Sequence, residues 1–270
     1  MSGRPEWDFA GSIQAVVQRS RHVTRVHFHE TIGSTNAAAL ELAKAGAPHG
    51  TLVIAEQQTA GRGRMGRRWE SPPGVGLWFS WVLRPPLPLA SGFLVTVAGA
   101  LSVVDAVARL AGRVAHVRWP NDVLVGERKL AGILAEATGQ GEQLEAIVLG
   151  MGVNVNQSGA DFPAGLDGLA TSLFLESGHA FDRSLVLAAI IESFEFSYDQ
   201  LLREGGAPLM EAWRRAIPLI GHPVSLTMTD GVVTGRAVAV GADGALVVEV
   251  EGGTRRSFHA GDVRQLREAP

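Results

Sequence analysis

The chain has 270 residues, 46% of them hydrophobic, with 24 Lys and Arg against 27 Asp and Glu and no cysteine. That length suits one large domain or a domain with a small companion, and it supplies ample material for a core. A net charge of −3 speaks against bulk nucleic-acid binding, and the lack of cysteine excludes disulfides, thiolate nucleophiles and zinc–thiolate sites.

Residues 1–22 lack the apolar core of a signal peptide. With Gln14, Gln18, Arg19 and Arg21 they read as a solvated lead-in. Thr24 to His29 alternates and is rich in β-branched and aromatic residues, predicting a strand. Gly33-Ser34-Thr35-Asn36 opens an Ala/Leu-rich helix, capped by Ser34 or Thr35 and ended near Gly46. Thr51 to Glu56 reads as a buried strand, Gln57 to Arg68 as a polar glycine-rich loop, and Gly76 to Leu83 as a further strand.

Ala90 to Leu110 has helical period. Its most apolar part, Phe93 to Leu101, includes Thr96 and runs into Ser102 and Asp105, which predicts a buried helix and not a membrane span. Val114 to Trp119 and Val123 to Val125 flank a Pro120-Asn121-Asp122 turn, and Gly126-Glu127-Arg128 turns the chain into Leu130 to Glu136. Leu144 to Asn156 is another strand, and 184–204 and 207–217 are helices. After Pro218 come short β runs, Pro223 to Thr229, Val232 to Val240, Ala245 to Val250 and Arg255 to Phe258, separated by Asp-Gly, Asp-Gly and Gly-Gly. The expected fold is α+β: a mixed, mainly antiparallel sheet with helices over residues 1–218, then a small barrel-like β domain over 219–270.

The most distinctive segment is Gly61-Arg62-Gly63-Arg64-Met65-Gly66-Arg67-Arg68. It spells G-x-G-x-x-G, but a dinucleotide fingerprint needs a helix opening inside it and an acidic residue about 20 positions on. Trp69-Glu70-Ser71-Pro72-Pro73 follows instead, and no Asp or Glu occurs between Glu70 and Asp105. A solvated basic loop and an RNA-contacting loop are the bland alternatives. The functional reading is a loop that closes on an anion, since glycine admits close backbone approach and arginine forks match carboxylate and phosphate oxygens. Without a ligand the four arginines would repel one another.

Pro-Asn-Asp alone is a turn, and Lys129 alone an exposed strand-start lysine. A hairpin would bring both into one sheet, with the lysine placed to sit between a carboxylate and a phosphate. Asn154 and Asn156, two apart, would share one strand face, either toward water or toward a ligand. None of the eight histidines falls in a metal-ligand pattern, and no G-x-S-x-G elbow is present.

Taken in order, these pieces resemble the biotin–protein ligases. The resemblance rests on Gly33-Ser34-Thr35-Asn36, on Ala55 to Arg64 with Gly66-Arg67 and Trp69, on Trp119-Pro120-Asn121-Asp122, and on Lys129 to Leu134 with Glu136. Gly152-Val153-Asn154-Val155-Asn156 and Ala170-Thr171-Ser172-Leu173 complete it, over roughly residues 24–267. It implies a class II synthetase-like catalytic domain and an SH3-like C-terminal barrel. It also implies synthesis of biotinyl-5′-AMP from biotin and ATP, then transfer of biotin to a lysine of a biotin carboxyl carrier protein. Ser34, Thr35, Asn36, Gln58, Arg62, Gly63, Arg64 and Lys129 would then bind biotin and its adenylate; Arg67, Trp69, Asn121 and Asn154 would serve ATP or AMP.

Lys129 and Arg64 are the candidate catalytic pair, because the carboxylate and the α-phosphate repel each other and need fixed positive charge between them. Mg²⁺ would arrive with ATP, with no dedicated carboxylate cage, and Trp119 could contribute an apolar wall. Two departures stand out. Arg118 replaces the lysine the family often has before Trp-Pro-Asn-Asp, and is left out of the catalytic set. About 23 residues precede the first strand, where a helix-turn-helix needs on the order of fifty, so no DNA binding is expected. A cytoplasmic location and no membrane attachment complete the expectation; exposed sheet edges could support a homodimer, and the sequence leaves monomer or dimer open. An Arg/Gly-loop RNA-binding module and a related lipoate or octanoate transferase are the alternatives.

Overall fold

A computed structural model describes residues 8–166, 168–228 and 231–266; the side chain of Gln140 is not described. The expected turn at Asp230, with Thr229 at the end of its strand, lies outside these residues. Twelve strands and six α-helices are seen among the described residues.

Seven strands form the main sheet: β1 (Arg25–Ile32), β2 (Thr51–Gln58), β3 (Gly76–Leu83), β4 (Ala115–Arg118), β5 (Asp122–Val125), β6 (Arg128–Gln140) and β7 (Gln143–Asn154). Their spatial order is β1-β2-β3-β7-β6-β5-β4. Only β1 and β2 run parallel; the other neighbours are antiparallel.

Alternation along the central strands sorts the two faces of this sheet. Leu77, Phe79, Trp81 and Leu83 of β3 and Leu149, Met151 and Val153 of β7 enter the large core. That face is covered by α3 (Phe93–Ala111) and α5 (Arg183–Glu204), with α6 (Ala207–Arg215) packed on both. The apolar helix α3 buries Val95, Ala98, Val103 and Val107 here, as expected of a core helix. The opposite face is thinner. Helix α2 (Thr35–Lys44) covers only part of it, with Ala39 and Ala43 against Val53, Val82, Ala146 and Val148. The remainder carries small residues, and the candidate site lies there.

The N-terminal reading needs correction. Phe9–Arg19 is a helix, α1, capped by Asp8, and Phe9, Ile13 and Val16 at helical spacing are buried. Its end is tied to α5 through Glu195, which accepts from the backbone N–H groups of Arg21 (2.8 Å) and His22 (3.0 Å). Gln14, Gln18 and Arg19 occupy the outer side of an amphipathic helix, and Arg21 follows its end.

Beyond residue 222 a second, antiparallel sheet forms from β8 (Pro223–Met228), β9 (Gly231–Val240), β10 (Leu246–Glu249), β11 (Arg255–Phe258) and β12 (Asp262–Gln265), in the order β11-β10-β9-β8-β12. Strand β12 was not expected. Trp119 joins the two sheets, donating its indole N–H to the Gly244 carbonyl at 3.0 Å. This buried ring is not part of the candidate cavity's lining, so the expected apolar wall from Trp119 is not found.

Candidate active site

Three small residues make a trough in the thin face of the sheet. Gly132 of β6 pairs with Gly152 of β7, and Leu134 with Gly150. The Trp69 ring lies over the first pair: a Cβ on Gly152 would come within 2.5 Å of its Nε1, and one on Gly132 within 3.0 Å of its Cζ3. A Cβ on Gly150 would meet the Asn36 amide oxygen at 2.2 Å. Glycine is required at these places so that an indole and a carboxamide can touch the backbone.

The arginine-glycine segment folds back on itself as a tongue. Its base is the pair Gln58–Ser71 and its middle the pair Arg62–Arg68, with Trp69 N–H bonded to the Gly61 carbonyl at 3.0 Å and Gly63 N–H to that of Arg67 at 2.7 Å. Met65 (φ 56) and Gly66 (φ 72) turn its tip. The expected mutual repulsion of the arginines is countered at three of them by partners, one local and two from other elements. Arg67 pairs with Asp262 of β12, Arg68 with Glu70 at 3.1 Å, and Arg64 donates to the Asn121 amide oxygen at 3.2 Å. Burial pulls the Arg64 guanidinium below its ordinary pKa; Asp262 and Asp122 act the other way, and Arg67 adds to the fall.

The β5–β6 hairpin does what the sequence suggested. Asp122 sits between two cations, 2.7 Å from Arg118 and 2.7 Å from Lys129. Lys129 Nζ also lies 5.0 Å from the centre of the Trp69 ring, a cation–π distance. Asn121 is anchored to β6 by Nδ2 on the Ile133 carbonyl at 2.6 Å, so its oxygen is held for Arg64.

A cavity of about 660 Å³ brings together Gly63, Arg64, Arg67, Trp69, Asn121, Lys129 and Asn154, seven of the candidate residues. His116 lies on its wall, its pKa lowered first by burial and then by Arg118, which favours the neutral ring. A second hollow, about 770 Å³, lies under the tongue, lined by Arg62, Gly63 and Arg64 with Leu134 and Glu136 opposite. Ser34, Thr35, Asn36 and Gln58 line neither. They form a polar network behind the hollow: the Thr35 N–H and hydroxyl donate to Gln58 Oε1 at 2.8 and 3.1 Å, and the Ser80 hydroxyl lies 2.9 Å from Thr35 Oγ1 and 3.0 Å from Asn36 Oδ1. Ser34 caps α2. Glu136 connects network to hollow, accepting from Asn36 Nδ2. Asn154 and Asn156 are both buried and clamp neighbouring segments, through the carbonyls of Thr171 and Phe181; neither faces water.

Sequence reasoning missed Asp122, Ser80, Gln157 and Asp262 as site residues. Asp122 was visible in its motif. Asp262, in a strand not anticipated, gave no local signal. Among the described residues no group of three or more His, Asp or Glu side chains converges as a metal site.

Fold and site together define an α+β protein that gathers fixed positive charge over a glycine-floored trough, next to a small β domain. The family model for the biotin/lipoate A/B protein ligase family matches residues 28–154, and that for the biotin protein ligase C-terminal domain matches residues 219–264. The bifunctional ligase/repressor BirA of Bacillus spizizenii is 37% identical over 233 residues, covering 86% of this chain and 72% of that protein. The biotin–[acetyl-CoA-carboxylase] ligase of Mycobacterium tuberculosis is 36% identical over 87% of this chain and 86% of its own length. Among solved structures, the biotin protein ligase of Aquifex aeolicus in complex with biotin and ATP superposes with a TM-score of 0.76 at 26% identity, covering 90% of this chain and all of that one (100%). The chain belongs to the biotin protein ligases.

Proposed function

We propose that the protein condenses biotin with ATP and then transfers the biotinyl group to a lysine of a biotin carboxyl carrier protein or domain. The observation that carries this is the convergence of Lys129 and Arg64 on one cavity, each held by a group of the Trp119–Asp122 turn. In the first step a carboxylate oxygen of biotin attacks the α-phosphorus, the bond to the β-phosphate bridging oxygen breaks, and pyrophosphate leaves. Lys129 and Arg64 lower the repulsion between the two anions, and because they are held in advance they reorganise little as charge develops. In the second step the acceptor amine attacks the carbonyl carbon, a C–N bond forms, AMP departs with the electron pair, and the amine loses a proton.

Biotin would extend from Lys129 along Leu134 beneath the tongue, toward the network of Ser34, Thr35, Asn36 and Gln58, with Arg62 and Gly63 above. Arg67, Trp69, Asn121 and Asn154 would serve the nucleotide. Mg²⁺ would ride on ATP and neutralise the leaving pyrophosphate; the carboxylates nearest the cavity's cations, Asp122 and Asp262, are engaged by Lys129, Arg118 and Arg67. We divide the chain into a catalytic unit, 1–218, and a β unit, 219–270, and place the reaction in the cytoplasm. An RNA-binding role for the arginine loop is not favoured, since Arg64, Arg67 and Arg68 line a cavity and are partnered there.

Biotin-dependent ATP–pyrophosphate exchange, followed by labelling of a carboxylase carrier domain, tests the proposal. No exchange at saturating biotin and Mg-ATP overturns it. Competition between biotin and lipoate separates it from the related lipoate chemistry.

A further inference from the structure

The tongue leaves the main sheet at the end of β2 and rejoins it at the start of β3. Gln58 joins its two arms through Ser71, with Nε2 2.8 Å from Ser71 Oγ. Glu56, earlier on β2, joins them a second time. Its Oε2 accepts the Gly74 N–H at 3.0 Å, so a carboxylate on the outgoing arm holds the returning one. The same carboxylate takes the fork of Arg183, Nη1 on Oε2 at 2.9 Å and Nη2 on Oε1 at 2.8 Å. Arg183 Nη1 also donates to the Gly76 carbonyl at 3.2 Å. The proposed chemistry makes no use of this pair, yet the Arg183 and Glu56 side chains are only 9% and 16% exposed.

Arg183 is itself fixed from several directions. It is the first residue of α5, whose cap Asp182 accepts the Ser184 N–H at 2.8 Å. Asn156, just beyond β7, donates to the Phe181 carbonyl at 2.8 Å and accepts the Phe181 N–H at 2.9 Å. The Asn156 N–H reaches the Val75 carbonyl at 2.6 Å. Phe9 of α1 lies against the guanidinium, its ring centre 4.1 Å from Cζ. The ends of β2 and β7 and the starts of β3 and α5 therefore meet at one ion pair, with α1 packed on it.

A buried ion pair is a poor source of stability, because desolvation offsets the attraction, and an apolar pair of similar volume often serves as well. What the ion pair has and an apolar pair lacks is direction. The carboxylate accepts three N–H groups at set angles, and the planar fork fixes their spacing. The spacing fixed here is that of the two arms of the tongue. We infer that Glu56 and Arg183 are positioning residues: their pair sets the distance between the arms at the root of the tongue, and thereby the seats of Trp69 and Arg64 in the cavity. This rests on the proposal that biotinyl-5′-AMP forms there.

The test exchanges the pair for apolar residues, Glu56→Leu together with Arg183→Met. Three quantities are measured: the melting temperature, amide hydrogen exchange over residues 59–71 without ligand, and dissociation of biotinyl-5′-AMP loaded onto the protein. The double variant should melt within a few degrees of the wild type, exchange faster over 59–71 and release the adenylate about tenfold faster. Arg183→Lys keeps the charge and loses the fork. It should shift exchange and release in the same direction by a smaller factor, and it carries the test should the double variant not fold. A lowered melting temperature with wild-type exchange and release would make the pair a structural contact only and overturn the inference. Wild-type values throughout would overturn it as well. If the wild-type protein binds no biotinyl-5′-AMP, the ligase reading falls, and hydrogen exchange of the tongue still decides the role of the pair.

Discussion

Lys129 Nζ lies 2.7 Å from Asp122 Oδ1, and the same carboxylate holds Arg118 at 2.7 Å from its other oxygen. The lysine is therefore tethered by a carboxylate before any substrate arrives. In the proposed reaction a biotin carboxylate shares the ammonium with Asp122, and Arg118 takes part of the charge of Asp122 in return. Such an arrangement fixes where the ammonium sits, which matters more for charge stabilisation than the strength of the pair.

Lys129→Ala should slow adenylate formation by about 10²-fold, the scale of losing one preorganised cationic donor. Arg64→Ala should shorten the lifetime of the bound adenylate. Single-turnover quenched-flow measurement separates formation from release. Wild-type values in both variants would remove these residues from the proposed roles.

Arg67 and Asp262 are 54% and 41% exposed at the side chain, so their pair should contribute under about 1 kcal/mol to stability. Its consequence is positional, because it ties the tongue to β12. Asp262→Ala should leave the melting temperature nearly unchanged and raise the KM for ATP severalfold. A large fall in melting temperature with an unaltered KM would show that the contact serves folding alone.

Gly152→Ala would place a methyl 2.5 Å from the Trp69 indole nitrogen. The ring has to move off the sheet, at a cost of about 1–3 kcal/mol from overpacking. Altered tryptophan emission together with weaker nucleotide binding is the expected outcome. Gly33→Ala meets nothing within 4 Å and controls for the added methyl. Unchanged emission in the Gly152 variant would contradict this placement of Trp69.

His49 accepts from the Arg84 N–H at 3.0 Å, and its pKa is lowered by burial, then by His22 and Arg84. The unfolded chain binds this proton more readily than the folded one. Stability is therefore full above about pH 6.5, the unfolded value, and falls as pH drops from there toward the lower folded value. His49→Asn keeps a comparable acceptor for Arg84 but does not titrate. Urea unfolding at pH 7.5 and pH 5.5 should show a smaller loss in the variant than in the wild type; equal losses would exclude His49 as a source.

Much of the scaffold was legible locally. The β3 bounds match because Gly76 and the Arg84-Pro85-Pro86 turn mark a run buried at every position. The hairpin joining Asp122 to Lys129 followed from its two turns. Helix α1 was missed because its apolar spacing is interleaved with polar residues that draw the eye, and β12 because its four residues carry a single buried side chain, Val263.

The sequence by itself determined the local pieces: the arginine-glycine tongue, Lys129 behind its turn, and the Ser-Thr-Asn cap. Those are encoded by short-range turn and capping preferences, and their order along the chain carries the family resemblance. Only the tertiary structure decided how the groups divide. It set seven of them around one cavity, put Ser34, Thr35, Asn36 and Gln58 in a network behind another, paired Arg67 with a carboxylate 195 residues away, and left the Gln157 oxygen unsatisfied. Charge pairing and burial depend on what the fold brings near, and no local pattern records a partner that distant.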